Sequence, residues 1–370
     1  MAKTSKRIEA MPASAIRKLV PYADAAIAEG VKVYHLNLGQ PDIKSPECAL
    51  DAVRNFDGKL VSYSHSAGRL DVRKALCEKY YGKLGINIDE NEIIITTAGS
   101  EAITLSLQIC CDEGDEVIVM EPFYTNYNNF AILNKVVFKA VSTDIREGFA
   151  VPDMEEFEKL ITPRTKAIMI CNPGNPTGTL YTKEMMLKLG EIARKHDLFL
   201  ISDEVYREFC YTDEPHFSAM EIPGLEQNVI MIDSISKRYN LCGCRIGTII
   251  SHNKEVIAAA LRYAQARLCA PVFGQIATLG AVNTSGNTAL TQDGSSVNVY
   301  KIPAITQTEG DTVDVTAVVS TFNGIQLRVA LTSDVVSAST EPEPTENPYN
   351  NVTIAEALAA ETGTEGICVI

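Results

Sequence analysis

Short apolar runs rich in β-branched residues recur along the first 250 positions, and segments with helical periodicity lie between several of them. Strands that are apolar throughout and that alternate with helices predict a largely parallel sheet covered on both faces. The predicted helices between strands are residues 100–111, 153–160 and 183–196. The predicted strands are residues 93–97, 117–120, 135–141, 167–171, 198–202, 229–233 and 246–250.

The pattern before residue 90 predicts helices over residues 12–30, 46–55 and 70–84, and a short strand over residues 33–38 that ends in a turn. Ser45 is expected to cap the helix at 46–55. Pro46 then falls in the first turn, where its missing amide hydrogen costs nothing.

The pattern changes near residue 280, where residues 281–293 become rich in Gly, Ser, Thr and Asn. Alternating residues then predict strands over 297–302, 313–320 and 325–331, with Asn323-Gly324 as a hairpin turn. Residues 341–348 predict a linker, residues 353–360 a helix, and residues 366–370 a closing strand without a partner in sequence. We therefore predict four parts: an N-terminal arm (1–45), a large α/β domain (46–280), a β-rich OB-like domain (281–340), and a linker with the truncated start of a second β unit (341–370).

Charge and composition narrow the class of protein. The formal net charge of −14 argues against general nucleic-acid binding. The first 280 residues carry 31 basic and 36 acidic residues, whereas the last 90 carry two and eleven, which supports a boundary near residue 280. No apolar run approaches the roughly 18 residues of a membrane helix, and the polar first nine residues do not resemble a secretory signal. The ten cysteines lack metal-site spacing, so we expect reduced thiols, no metal and a cytoplasmic location.

The most informative stretch follows the predicted strand at 229–233. Residues 233–238 read DSISKR, and residues 243–247 read GCRIG. A lysine becomes a nucleophile when it is desolvated or near other cations, and serine hydroxyls with an arginine suit a phosphate. Lys237, Ser234 and Arg245 together therefore suit a cofactor with both an aldehyde and a phosphate, which is pyridoxal phosphate. Taken alone, Lys237 is better explained as an ordinary solvated surface lysine, and other segments must agree before it is assigned to a cofactor.

Two other strand ends carry small or aromatic residues, and ligands of such sheets bind beyond the carboxyl ends of the strands. Residues 96–101 (TTAGSE) join a strand to a helix, whose N-terminus favours a phosphate. Ser100 is alternatively an ordinary helix cap. Tyr124 follows the next strand and either stacks on a planar cofactor or packs in the core.

Two further strand ends carry polar side chains. Residues 172–178 (NPGNPTG) form a turn that its prolines and glycines restrict, and this turn presents the amide of Asn175. Asp203 ends an apolar strand, and a buried carboxylate needs a partner. A protonated pyridine nitrogen would serve, as would a helix cap or an ion pair.

These motifs, in this order, resemble the class I/II aminotransferases of the aspartate aminotransferase superfamily, the fold-type I pyridoxal phosphate enzymes. The resemblance extends over about residues 12–278 and rests on the combination NPxNPTG, SDExY and SxSKxxxxxGxRIG. It implies an α/β fold with a mixed, mostly parallel sheet between helices, and transamination between an L-amino acid and a 2-oxo acid. Residues 237–240 and 243–245 look most like bacterial aspartate transaminases, which implies aspartate and 2-oxoglutarate. It also implies a homodimer.

The resemblance implies a role for each matching residue. Lys237 is the Schiff-base lysine that also moves the substrate proton. Asp203 keeps the pyridine nitrogen protonated, Tyr206 and Asn175 hydrogen-bond the phenolic oxygen, and Tyr124 stacks on the ring.

The remaining matches concern the phosphate, the neighbouring subunit and the substrate. Tyr63 reaches the phosphate bound by the neighbouring subunit, and Gly39 lies near the substrate carboxylate. The residues that match the phosphate cup are Gly99, Ser100, Ser234 and Arg245, with Ala98 beside them.

The resemblance ends after residue 278. The family continues with an α/β domain whose arginine clamps the substrate α-carboxylate. Residues 281–370 do not match that domain and look like OB-like β pieces. Arg328, in the run QLRVA, superficially resembles the clamp, but we attribute this to chance because the elements that position the clamp are missing.

Two interpretations follow for the whole chain. In the first, the chain is an aminotransferase whose C-terminal domain was replaced by fusion or by mis-joining of genes, with impaired turnover. In the second, it is a catalytically dead chimeric or surface-binding protein that carries a relic cofactor domain.

Overall fold

The computed structural model describes residues 2–14, 17–35, 39–41 and 43–283 with their side chains, and beyond them the backbone of Thr284 and of seven strands. The chain forms two compact units, one of Met1–Ser45 with Phe56–Leu279 and one of Pro46–Asn55 with Gly280–Ile370. The four-part division proposed from the sequence stays a prediction.

Eleven α-helices lie in the described residues up to Thr284, and one of them, Glu47–Arg54, belongs to the second unit. Short 3₁₀ segments lie at Arg17–Leu19, Gly82–Leu84, Ile145–Glu147, Ala219–Glu221 and Cys242–Cys244. None of the described helices is long and apolar enough to cross a bilayer. The α-helices are α1 (Lys6–Glu9), α2 (Val20–Ala28), α3 (Glu47–Arg54), α4 (Leu70–Ala75), α5 (Ala98–Cys110), α6 (Asn126–Asn134), α7 (Met154–Glu158), α8 (Lys183–Lys195), α9 (Ile235–Arg238), α10 (Lys254–Arg267) and α11 (Val272–Thr284).

The first unit is built on a seven-stranded sheet with the order β1-β7-β6-β5-β4-β2-β3. Only β7 runs antiparallel to its neighbours, and the other strands are parallel to one another. The predicted mixed, mostly parallel sheet is therefore confirmed. Its strands are β1 (Ile93–Thr96), β2 (Glu116–Met120), β3 (Val137–Val141), β4 (Thr165–Cys171), β5 (Phe199–Asp203), β6 (Val229–Ser234) and β7 (Gly247–Ile250).

Apolar side chains cover this sheet on both faces. One cluster joins alternate strand residues to α5 and α10, as Val119, Leu105 and Ala260 illustrate. The other joins the intervening strand residues, such as Ile118, to Leu189 of α8. Burial on both faces explains why the strands are apolar at every position rather than at alternate ones.

Helix starts show where local prediction succeeds and where it fails. Thr182 caps α8 by accepting a hydrogen bond from the Met185 amide at 3.3 Å. The expected cap at Ser45 is wrong, because its hydroxyl donates instead to the Asn240 carbonyl at 2.7 Å. Pro46 itself is the N-cap residue of α3.

The single helix predicted over residues 70–84 is also corrected. The chain forms α4, then a π-helical segment at Leu76–Tyr81, then the 3₁₀ turn Gly82–Leu84. The segment ends at Gly85, which has φ +78°, a conformation that glycine adopts without strain. The strand predicted over 33–38 is not formed at Val33–His35, and its remaining residues lie outside the described part.

The second unit contains a second seven-stranded sheet. β10 pairs with β11, β12 and β14, all antiparallel. The closing strand β14 thus has partners, contrary to our expectation. The predicted Asn323-Gly324 turn, the linker at 341–348 and the helix at 353–360 lie outside the described residues. The strands are β8 (Thr288–Gln292), β9 (Ser295–Tyr300), β10 (Val313–Thr321), β11 (Ile325–Arg328), β12 (Val335–Ser337), β13 (Asn351–Val352) and β14 (Glu365–Val369).

Candidate active site

The candidate site lies along one edge of the first sheet. The parallel strands β1, β4, β5 and β6 all end there, and Cys171 at the end of β4 is in register with Asp203 at the end of β5. The antiparallel strand β7 begins at the same edge, with Gly247 opposite both Thr96 and Ser234. Strand polarity therefore brings the sequence motifs together.

Lys237 lies in the short helix α9, directly after β6. Ser234 begins this helix in an extended conformation, and its Oγ accepts a hydrogen bond from the Ser236 amide at 3.1 Å. The side chain of Lys237 is half-buried, and its Nζ donates to the Gly39 carbonyl oxygen at 2.5 Å. The same Nζ lies 5.9 Å from the ring centroid of Tyr206.

Asn175 and Tyr206 meet close to this lysine. The Asn175 side-chain amide donates to the Tyr206 hydroxyl at 3.3 Å. A β-carbon at Gly39 would lie 3.6 Å from that hydroxyl. Burial raises the pKa of Tyr206, which keeps its hydroxyl protonated at neutral pH. Four residues predicted from separate motifs thus surround one point.

Asp203 is a buried carboxylate with 4 % of its surface exposed. Its Oδ2 accepts a hydrogen bond from the Tyr127 hydroxyl at 2.5 Å, and its Oδ1 accepts one from the Val205 amide at 3.3 Å. Burial raises the pKa of Asp203 to about 6, although the hydrogen bond from Tyr127 opposes this change. A cation beside this carboxylate would offset the cost of its burial.

The residues predicted to hold a phosphate gather around the start of α5. Thr97 is the N-cap residue of this helix, so the alternative in which Ser100 is the cap is wrong. A β-carbon at Gly99 would lie 3.9 Å from the Ser234 β-carbon, and the Ala98 amide donates to the Arg245 carbonyl at 3.1 Å. The arrangement joins a helix N-terminus and a serine, which are groups that bind phosphate. Arg245 meets them through its backbone, and its guanidinium donates to the Cys242 carbonyl at 3.1 Å.

Tyr124 packs beside this site. Its ring meets the Tyr127 ring edge-on, with centroids 5.4 Å apart and planes at 84°. Its hydroxyl accepts a hydrogen bond from the Asn126 side chain at 2.7 Å. Tyr124 is only partly buried.

Tyr63 is not joined to the other predicted residues by any contact among the described part of the chain. It is 77 % exposed and lines an open pocket of about 450 Å³ with Phe56, His65 and Arg69. Its predicted role requires a second subunit and stays a prediction.

Buried ion pairs lie next to Asp203 at the end of β5 and next to Lys237 in α9. Glu204 pairs with Arg207, and its carboxylate accepts from the Ser218 hydroxyl at 2.9 Å. Asp233 pairs with Arg238 and accepts from the Tyr81 hydroxyl at 2.7 Å. Burial alone would raise the pKa of Asp233, but the charges of Arg238 and Arg207 outweigh it and hold that pKa below its usual value.

Sequence reasoning missed Tyr127 and the role of Gly247. Gly247 was recognised only as part of a motif, whereas Tyr127 carries no motif. The signal at Tyr127 was an aromatic residue three positions after Tyr124.

Gly247 allows β7 to lie against the start of α5. A β-carbon at this position would lie 2.4 Å from the Ala98 carbonyl carbon and 2.5 Å from the Gly99 amide nitrogen, closer than real atoms approach. We therefore expect Gly247→Ala to lower the unfolding free energy by roughly 1–3 kcal/mol, which denaturation measures. We also expect it to weaken the binding of pyridoxal phosphate, which equilibrium dialysis measures. Gly243→Ala is the matched control, because a β-carbon there meets nothing within 4 Å. Equal behaviour of the two variants would contradict the tight approach.

These residues fit pyridoxal phosphate. A half-buried amine lies beside Tyr206, the buried Asp203 carboxylate suits a protonated ring nitrogen, and the N-terminus of α5 favours a phosphate. No cluster of three or more metal-ligating side chains occurs within the described residues.

Comparisons with known proteins agree with this reading. Residues 31–296 match the family model for aminotransferase class I and II. The aspartate/prephenate aminotransferase of Thermus thermophilus is 34% identical over 76% of this chain and 72% of its own length. The aspartate aminotransferase of Bacillus subtilis is 30% identical over 76% of this chain and 71% of its own length.

Solved structures give the same result. A double mutant of Thermus thermophilus aspartate aminotransferase superposes with a TM-score of 0.70 at 35% identity, covering 76% of this chain and 73% of that one. The Thermotoga maritima aspartate aminotransferase gives 0.71 at 30% identity, covering 76% and 75%. The predicted fold type is thereby confirmed, and the chain belongs to the class I and II aminotransferases, whose aspartate aminotransferase members use pyridoxal phosphate.

Proposed function

We propose that this aminotransferase transfers the amino group of L-aspartate to 2-oxoglutarate, with pyridoxal phosphate attached to Lys237. The observation that carries the assignment is the meeting of Lys237, Gly39, Tyr206 and Asn175 at one point beside Asp203. The choice of aspartate is supported by relatives named aspartate aminotransferase in Thermotoga maritima and Bacillus subtilis.

The cofactor-binding residues have separate tasks in this proposal. Lys237 supplies the amine that attaches to the cofactor aldehyde, and Asp203 holds the proton of the ring nitrogen. Tyr206 and Asn175 hydrogen-bond the phenolic oxygen, and Tyr124 lies against the ring. The phosphate is held by Gly99, Ser100, Ser234 and Arg245, beside Ala98.

Turnover depends on a proton that this chain must move. When bound, pyridoxal phosphate draws electrons away from the α-carbon of the amino acid and carries its amino group to the 2-oxo acid. The Lys237 amine, once released, takes the α-proton as a general base and returns it as a general acid. Its contact with the Gly39 carbonyl holds the free amine beside Tyr206 before the cofactor is attached.

In this proposal the substrate carboxylate is bound by fewer groups than in the rest of the family. Gly39 lies beside the place for the substrate carboxylate, but residues 281–370 lack the family's clamping arginine. Arg328 lies in β11, opposite Val318 of β10. We therefore propose that turnover is impaired and that Arg328 does not contribute to it.

We also propose a cytoplasmic homodimer in which Tyr63 reaches the phosphate of the neighbouring subunit. Its exposure of 77 %, together with that of Leu60 at 75 % and Val61 at 51 %, supports a surface covered by a second copy.

The experiment uses the purified full chain and pyridoxal phosphate. We expect a visible absorbance band from the cofactor attached to lysine, and a half-reaction with aspartate roughly 10²-fold slower than in the Thermus thermophilus relative, since a carboxylate clamp is missing. Aspartate should bleach the band, and 2-oxoglutarate should restore it.

Two controls separate the alternatives. Arg328→Ala should leave the half-reaction rate unchanged, and a large loss would identify Arg328 as a clamp. A chain that never takes up the cofactor would contradict the enzyme proposal and favour the catalytically dead, surface-binding alternative.

A further inference from the structure

Tyr127 contacts the Asp203 carboxylate from α6, and no role follows for it from the motifs. We propose that Tyr127 is a positioning residue, whose hydroxyl keeps Asp203 ionised and correctly oriented to bind the cofactor's ring nitrogen. The inference rests on the proposed role of Asp203 and deepens it.

The contact is short and completely enclosed. Tyr127 is 1 % exposed and Asp203 is 4 % exposed, so water does not compete for this hydrogen bond. The Tyr127 hydroxyl lies 2.5 Å from Oδ2, which is within the range of hydrogen bonds to ionised oxygen acceptors. The Val205 amide holds Oδ1 at 3.3 Å. Each carboxylate oxygen therefore has one fixed donor, and the plane of the carboxylate is set.

The proton of this hydrogen bond belongs to Tyr127. Burial raises the pKa of the Tyr127 hydroxyl well above its usual range, and the negative charge of Asp203 raises it further. Tyr127 is therefore a permanent donor and not a general base. A donor to the ionised form of an acid stabilises that form.

The hydrogen bond from Tyr127 opposes the effect of burial on the pKa of Asp203. Burial favours the neutral acid, and the hydrogen bond from Tyr127 is the largest influence in the other direction, followed by the Val205 amide. Negative charge from neighbouring strands adds to the effect of burial. The other titratable groups that face Asp203 are Cys171 on β4, Glu204 next to it, Asp233 on β6, Tyr124 and Tyr206.

The Tyr127 ring is fixed by other aromatic residues. Phe123 stacks on it with centroids 6.2 Å apart and planes at 19°, and Tyr124 meets it edge-on. The ring proposed to lie against the cofactor thus packs on the ring that orients Asp203. Phenylalanine at position 127 would preserve this packing and remove only the hydroxyl.

The test compares Tyr127→Phe with Tyr181→Phe in the cofactor-free full chain. Tyr181 is equally buried at 1 %, but its hydroxyl donates to the Met120 sulfur at 3.4 Å. The dissociation constant for pyridoxal phosphate is measured across the acidic and neutral pH range, and circular dichroism checks that both variants fold. We expect Tyr127→Phe to weaken binding about tenfold at neutral pH and to move the midpoint of the pH dependence upward by about one unit. Tyr181→Phe should match the wild type.

A double-mutant cycle with Asp203→Asn separates positioning from a general structural effect. If Tyr127 acts through the charge of Asp203, Tyr127→Phe adds no further loss in the Asp203→Asn background. An equal loss of cofactor affinity in both backgrounds would overturn this inference but not the proposed function. A Tyr127→Phe variant that behaves like Tyr181→Phe would have the same consequence. A wild-type chain that binds no pyridoxal phosphate would overturn the proposed function as well.

Discussion

Lys237→Ala is expected to abolish the absorbance band of pyridoxal phosphate attached to lysine and to slow the half-reaction with aspartate by roughly 10⁴-fold or more. The variant removes both the amine that attaches to the cofactor and the base that moves the substrate proton. No other described lysine has its Nζ near Tyr206 and Gly39. Absorbance spectra and single-turnover rates with aspartate measure the two effects separately.

The matched control is Lys188→Ala. Lys188 lies on the exposed side of α8, where its Nζ is 3.0 Å from Glu184. We expect this variant to retain the full absorbance and rate. If Lys237→Ala kept the visible band, another lysine would have to hold the cofactor, and the assignment of Lys237 would be wrong.

The framework of the first unit was predictable from the sequence because both faces of its sheet are covered. Residues such as Ile118 and Val119 point in opposite directions, yet both are buried, so the strands read as uninterrupted apolar runs. Once the strands are known, their parallel order places Asp203 and Ser234 at one edge. The exact ends differ by one or two residues, since they depend on hydrogen bonds that the pattern does not encode.

Contacts between distant parts of the chain were not predictable in the same way. Ser45 was expected to cap its own helix, but its hydroxyl bonds to a carbonyl 195 residues away. Tyr127 and Asp203 are separated by 76 residues, and only the folded sheet brings α6 over the end of β5. The need for a glycine at position 247 likewise becomes apparent only in the folded structure, where β7 packs against the start of α5. The periodicity of apolar residues predicts which face of a helix or strand is buried. It does not predict which polar groups from distant parts of the chain contact that face.

Asp203 shows how the site differs from the rest of the core. Asp233, another buried carboxylate at this edge, pairs with Arg238 and has a lowered pKa. Asp203 has no cationic partner among the described residues, and burial raises its pKa. The protein therefore accepts an unfavourable charge at one strand end, and the proposed cofactor is the group that would neutralise it.

Asp203→Asn is accordingly expected to slow the aspartate half-reaction by about 10³-fold while stabilising the cofactor-free protein at neutral pH. The pKa of Asp203 rises from the ordinary 3.8 to about 6 on folding. The folded state thus holds this proton more tightly than the unfolded state, so the contribution of Asp203 to unfolding free energy falls as pH rises through that window. Since one pKa unit corresponds to about 1.4 kcal/mol, the cost above pH 6 is roughly 3 kcal/mol.

Denaturation of the cofactor-free protein as a function of pH tests this expectation. Asp203→Asn should exceed the wild type in unfolding free energy above pH 6 and converge with it below the ordinary pKa of 3.8. Asp213→Asn, an exposed substitution with the same charge change, should follow the wild type throughout. Added pyridoxal phosphate should stabilise the wild type more than Asp203→Asn, because only the carboxylate gains an ion pair with the ring nitrogen. An Asp203→Asn variant that is less stable than the wild type at neutral pH would mean that the hydrogen bonds from Tyr127 and Val205 already outweigh the cost of burial, and the carboxylate would then not depend on a cofactor to offset its charge.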